Sequence, residues 1–137
     1  MRAHASHPLL VCESHPGHGE AVAEELVALG YEVRRCADEE AMIAAAAAQR
    51  PSAVVYELRH QVPVDLAILA LVRRVLPDVP LIVVARELAE AAMQALRAVH
   101  PDVFAAEPVS PDDLRAAVRT AVRHARAQRR HPEPAVA

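Results

Sequence analysis

The residues of this chain that could do chemistry collect at the ends of apolar runs. Cys12 and Glu13 close "PLLVCE" (8–13), and Glu57 comes near the end of "SAVVYEL" (52–58). Both runs read as buried strands, so the carboxylate of Glu57 is expected where a strand opens to solvent. Histidines crowd the same positions: "HPGH" (His15, His18) follows Glu13, and His60 follows Glu57, while "HASH" (His4, His7) lies in the leading arm. Thiolate, carboxylate and imidazole are all ligands that zinc accepts. No C-x-x-C accompanies them and "HASH" belongs to no patterned element, so a metal site is not expected. The plain alternative for Glu57 is a strand-end acid solvated by the loop after it. All 15 basic residues are arginine, and every lysine-dependent mechanism is thereby excluded.

The elements that must position these residues follow from periodicity. A chain of 137 residues suits one domain able to bury a core. Hydrophobic residues make up 53% of it and aromatics only 2%, so that core must be built from Val, Leu, Ile and Ala in tight layers of helix on sheet. Five apolar runs, at 8–13, 31–36, 52–58, 80–85 and 102–106, alternate with five helical patterns. The third and fourth runs are continuously apolar, as strands covered on both faces should be, and are expected to be central. Helix one carries Val22, Leu26 and Leu29 and stops at Gly30, which is free to take positive φ. Helix two follows Asp38 as N-cap; its run of alanines supplies propensity with little to bury, so it should pack lightly. "VDLAILALVRRVL" (64–76) and "ELAEAAMQALRAV" (87–99) are helices three and four. Helix five opens with Ser110 as N-cap, Pro111 and two acids, with Leu114, Ala117, Val118, Ala121, Val122 and Ala125 as its apolar stripe.

Short connections between alternating strands and helices imply a parallel sheet with right-handed crossovers. The expected class is therefore α/β, a (βα)5 flavodoxin-like three-layer sandwich with strand order 2-1-3-4-5. Residues 1–7 are expected to form a disordered arm, 8–128 the domain and 129–137 a flexible tail. In such sheets ligands sit beyond the carboxyl ends of the strands, which is where Glu13 and Glu57 should meet.

The order of elements, "LGYEV" after helix one, "LPDVPLIVVA" and above all "FAAEPVSPDDLRAAVR" resemble the receiver domain of two-component response regulators over residues 8–128. The resemblance implies an acidic pair at Cys12 and Glu13, a phospho-acceptor at Glu57, a hydroxyl residue at Ala85, a lysine and cis-proline at Glu107 and Pro108, and an aromatic switch at Phe104. This chain departs from the pattern at most of these positions. Glu57 is one methylene longer than aspartate, so the carboxylate is displaced by ~1.5 Å, and in-line attack needs finer placement than that. Cys12 halves the oxygen set that a hard Mg2+ ion wants. Ala85 offers no hydroxyl, and Glu107 puts an anion where phosphate charge would need a cation. The likeness is thus to the degenerate branch, the pseudo-receivers, with Mg2+ binding lost or weak, no other cofactor, and no enzymatic activity. As a mimic of a phosphorylated acid, Glu57 would be partial, since it carries one charge against roughly two.

The expected role is a phosphorylation-independent protein interaction module in two-component-type signalling. The alternative is a working single-domain regulator phosphorylated at a variant acid in a phosphorelay. Arg115, Arg119, Arg123, Arg126 and Arg130 form a row opposite the apolar stripe of helix five. By resemblance the row implies a homodimer or partner interface through helix four, strand five and helix five, with Glu87, Glu90 and Asp102 as the facing acids. A solvated face is the alternative. A net charge of −3 and the lack of an aromatic platform argue against nucleic acid. No apolar run approaches the ~20 residues of a membrane span, and nothing resembles a leader, so a reduced cytoplasmic protein is expected.

Overall fold

The structure is a computed structural model that describes residues 8–13, 20–36, 38–58, 62–86, 88–106 and 109–130, with side chains except at 13, 20, 21, 39, 62–64 and 128–130. Five strands alternate with five helices: β1 (Leu9–Glu13), α1 (Glu20–Ala28), β2 (Val33–Cys36), α2 (Glu39–Ala48), β3 (Ala53–Leu58), α3 (Val62–Val75), β4 (Leu81–Ala85), α4 (Glu90–Val99), β5 (Val103–Ala106) and α5 (Pro111–Arg130). All strand pairs are parallel and the sheet order is β2-β1-β3-β4-β5, as the alternation predicts.

Every side chain of β3 and β4 is buried, so hydrocarbon must cover both faces of the sheet. One layer gathers Leu10, Val54, Leu58, Leu69, Val72, Leu81, Val83 and Leu96 from the sheet, α3 and α4. The other joins Leu9, Val11, Val55, Ile82 and Val84 to Leu26 of α1 and to Leu114, Val118 and Ala121 of α5. A fully buried side chain of this size contributes about 1.5–3 kcal/mol. Among the described side chains of α2 only Met42 is fully buried, and Ile43 stays 37% exposed, so that helix does pack lightly.

Local signals behave as their chemistry requires. Gly30 has φ 96°, its N–H meets the Val27 carbonyl at 2.9 Å, and the Tyr31 N–H reaches the Leu26 carbonyl at 3.1 Å. This pair of bonds is the Schellman cap, which wants a residue without Cβ at its left-handed position. Asp38 accepts from the Ala41 N–H at 2.7 Å and Ser110 from the Asp113 N–H at 3.1 Å, as expected of the N-caps of α2 and α5. Some boundaries differ from expectation. β2 starts only at Val33, α4 starts at Glu90 behind an Ala89 that makes no side-chain cap, and α5 runs through Arg129 and Arg130 of the expected tail. No helix among the described residues is long and apolar enough to cross a membrane.

The end of the sheet away from the carboxyl ends of the strands is tied by Arg73 of α3. Its guanidinium donates to the carbonyls of Val79 at 3.0 Å, Val99 at 3.4 Å and His100 at 2.6 Å, and to Asp102 Oδ2 at 2.8 Å. Asp102 also accepts from the Leu81 N–H at 2.7 Å, and its Oδ1 accepts from Nδ1 of His124 on α5. The side chain of Asp102 is only 4% exposed. It is therefore not an acid offered to a partner, which corrects the sequence expectation: a carboxylate entering β5 at the base of the sheet is the natural acceptor for the arginine and amide beside it. Removing one partner of a buried pair leaves the other charge uncompensated. Arg73→Ala should therefore destabilise the fold by about 2–3 kcal/mol, below the fully buried case because Arg73 is 19% exposed. Urea denaturation should show a lowered midpoint with an unchanged slope.

Candidate functional site

At the carboxyl end of the sheet, backbone register brings the sequence candidates together. Glu13 is the Cα partner of Glu57, Leu58 pairs with Ala85, and Ala85 pairs with Ala106. Cys12, Glu13, Glu57 and Ala85 thus stand at one end of three adjacent strands, and β5 brings its last residue, Ala106, to the same end. Glu107, Pro108 and Glu87 lie outside the described residues, as do His4, His7, His15, His18 and His60.

Glu57 is 1% exposed, not solvated at a strand mouth. The reason is its position in a strand with two neighbours and a helix layer on each face, where burial persists to the last residue. Ala85 is fully buried and presents only a methyl group. Phe104, the Cα partner of Val83, is half-buried and packs against the α3/α4 layer with Met93 and Leu96.

Two further pairs are not apparent from spacing. Tyr56 is 3% exposed, and its hydroxyl donates to Asp65 Oδ1 of α3 at 2.8 Å. A buried tyrosine has to find an acceptor, and Asp65 is the one acid of 61–76, so the signal was there. Cys12 and Cys36 are Cα partners on β1 and β2, both buried in the same layer. A hydrogen bond with Cys12 holds the Cys36 thiol below its ordinary range; Arg34 acts in the same direction, against burial and Asp38. Among the described residues no group of three or more His, Cys, Asp or Glu could hold a metal ion.

The arginine row of α5 is exposed at Arg115, Arg119, Arg123 and Arg126, and among the described residues none of these makes an ion pair. Arg119, Arg123 and Arg126 border a groove of about 520 Å³ floored by Leu9, Tyr31, Val118 and Val122, with no acid among its described lining residues. The groove lies on the flank of α5 facing the starts of β1 and β3. The opposite flank carries His124, turned to Asp102 and to a groove against α3 and α4. Glu90, exposed at the start of α4, is thus on the other side of α5 from these arginines.

No protein-family model matches this sequence, and no curated protein matches it. Solved structures do match. The chain is similar to the chemotaxis protein CheY4 of Vibrio cholerae, with TM-score 0.73 and 20% identity over 84% of this chain and 98% of that one. It is similar also to a CheY-like response regulator receiver domain protein from Methanospirillum hungatei, with TM-score 0.75 and 15% identity over 90% and 99%. A third is the signal receiver domain of a modulated diguanylate cyclase from Desulfovibrio desulfuricans, with TM-score 0.77 and 18% identity over 90% and 98%. The chain has the fold of the CheY-like receiver domains.

The buried Tyr56–Asp65 contact is open to test. Tyr56→Phe strips a hydrogen bond from a buried carboxylate and should cost about 1–3 kcal/mol. Chemical denaturation should show that loss, with the far-ultraviolet circular dichroism of the folded state unchanged.

Proposed function

We propose that the protein is an atypical receiver domain acting in two-component-type signalling as a phosphorylation-independent interaction module. The observation that carries this reading is Glu57, the residue at the acceptor position, buried to 1% exposure. A nucleophile must meet its phosphodonor in line, and a carboxylate enclosed to that degree does not. Ala85 adds no hydroxyl and the chain has no lysine, so nothing at these positions answers the charge of a phosphoryl group. The donor set also fits Mg2+ poorly. Cys12 supplies a soft sulfur engaged with Cys36 where a hard ion wants a carboxylate oxygen.

A second reading, phosphorylation at a variant acid, draws on the register of Glu13 with Glu57. Intact-mass spectrometry after incubation with acetyl phosphate and Mg2+ separates the two. The expected result is an unchanged mass; stoichiometric gain of a phosphoryl group on Glu57 overturns the interaction-module reading.

The surface we assign to the partner is the arginine flank of α5. Among the described residues its arginines make no ion pair, and Leu9, Val118 and Val122 make its floor largely apolar, so it suits an acidic protein surface, of a second copy or of another chain, that brings carboxylates and hydrophobic side chains together. Each exposed ion pair contributes only ~0.2–1 kcal/mol; the charges fix orientation while apolar contact supplies most of the affinity. Arg119→Glu with Arg123→Glu should weaken association at least tenfold in sedimentation equilibrium while leaving the unfolding midpoint within experimental error, and raised salt should act in the same direction. A wild type that stays monomeric at high concentration, together with unchanged capture of interacting proteins by the charge-reversed variant, removes the assignment.

A further inference from the structure

We infer that Cys12 and Cys36 form an oxidisable dithiol, which a hydroperoxide converts to an intrachain disulfide joining β1 to β2 at the site end of the sheet. The two are Cα partners in parallel register. Neighbouring strands lie about 4.8 Å apart, within the ~4.4–6.8 Å between Cα atoms that a disulfide spans. Both side chains enter the same buried layer, so the thiols share one face of the sheet. The chain has only two cysteines, and no third thiol competes for either of them.

Burial usually makes a cysteine inert, and these are 4% and 2% exposed. Cys36, however, ends a four-residue strand at the edge of the sheet, with a neighbour on one side only. Short edge strands are the part of a sheet that opens most readily, and a hydroperoxide is small.

The reaction balances without help from elsewhere in the protein. The Cys36 thiolate attacks one peroxide oxygen, the O–O bond breaks, and the departing hydroxide takes up a proton to leave as water. The resulting sulfenic acid lies beside Cys12. Attack by the Cys12 sulfur on the Cys36 sulfur forms the S–S bond and breaks the S–O bond, and the hydroxyl leaves as a second water with the Cys12 proton. Two thiols lose two electrons in total, and one peroxide gains them. Cys36 takes the first step because the Cys12 hydrogen bond favours its thiolate.

The test uses the whole chain, reduced and then exposed to hydrogen peroxide, with the thiols blocked by iodoacetamide in denaturant before intact-mass spectrometry. Untreated protein should take two labels. Peroxide-treated protein should remain a single chain, lose two hydrogen masses and take no label, and dithiothreitol should restore both labels. With dimedone present, Cys12→Ser should still trap a sulfenic acid, at least tenfold faster than Cys36→Ser. Full double labelling after peroxide, disulfides found only between chains, or oxygen addition without loss of the two hydrogens would each overturn the proposal. The labelling of the unsubstituted protein decides it even where a serine variant folds poorly.

Discussion

Strand β3 is buried along its whole length, and that constraint organises the molecule. A strand with no exposed residue needs a neighbour on each side and hydrocarbon on each face. β1 and β4 supply the neighbours, α3 and α4 close one face, and α1 and α5 close the other. With one phenylalanine and two tyrosines in the chain, closure falls to aliphatic side chains, which pack in thin, dense layers. Glu57 inherits this setting. Its environment is set less by being charged than by being the fifth residue of a strand that excludes water to its end.

The fold was legible because it rests on patterns local in sequence. Continuous apolar runs at β3 and β4 mark the centre, Gly30, Asp38 and Ser110 mark helix ends, and short connections leave few topologies open. The site was legible only as a set of positions. That Glu13 and Glu57 would come to the same end of neighbouring strands follows from the strand order, and in the structure the two are register partners. The burial of Glu57 did not follow, since it depends on how closely helices from distant parts of the chain approach. Asp102 was misjudged for a related reason. Spacing places it just before β5, but nothing local shows that Arg73, 29 residues earlier, reaches it. The pairing of Cys12 with Cys36 likewise requires the register of two strands separated by a helix, a quantity fixed by packing rather than by composition.

Arg73 also shows why an all-arginine complement is not neutral in this fold. A planar guanidinium with five donors can serve three carbonyls and a carboxylate at once. The ends of α3 and α4 and the starts of β4 and β5 are drawn to one side chain. An ammonium, with three donors on a flexible stem, could not span the same set.

The edge strand β2 carries a consequence of another kind. Among the described strands it has a sheet neighbour on one side only, and a sheet edge is the template on which a strand from another molecule could add. The strand is only four residues long, and its two central positions, Arg34 and Arg35, are exposed. A docking strand would have little ladder to copy and would bring its own residues against two positive charges. A short edge with exposed charge is thus a poor template for growth of the sheet on that side, in contrast to the long, uncharged edges that favour strand addition.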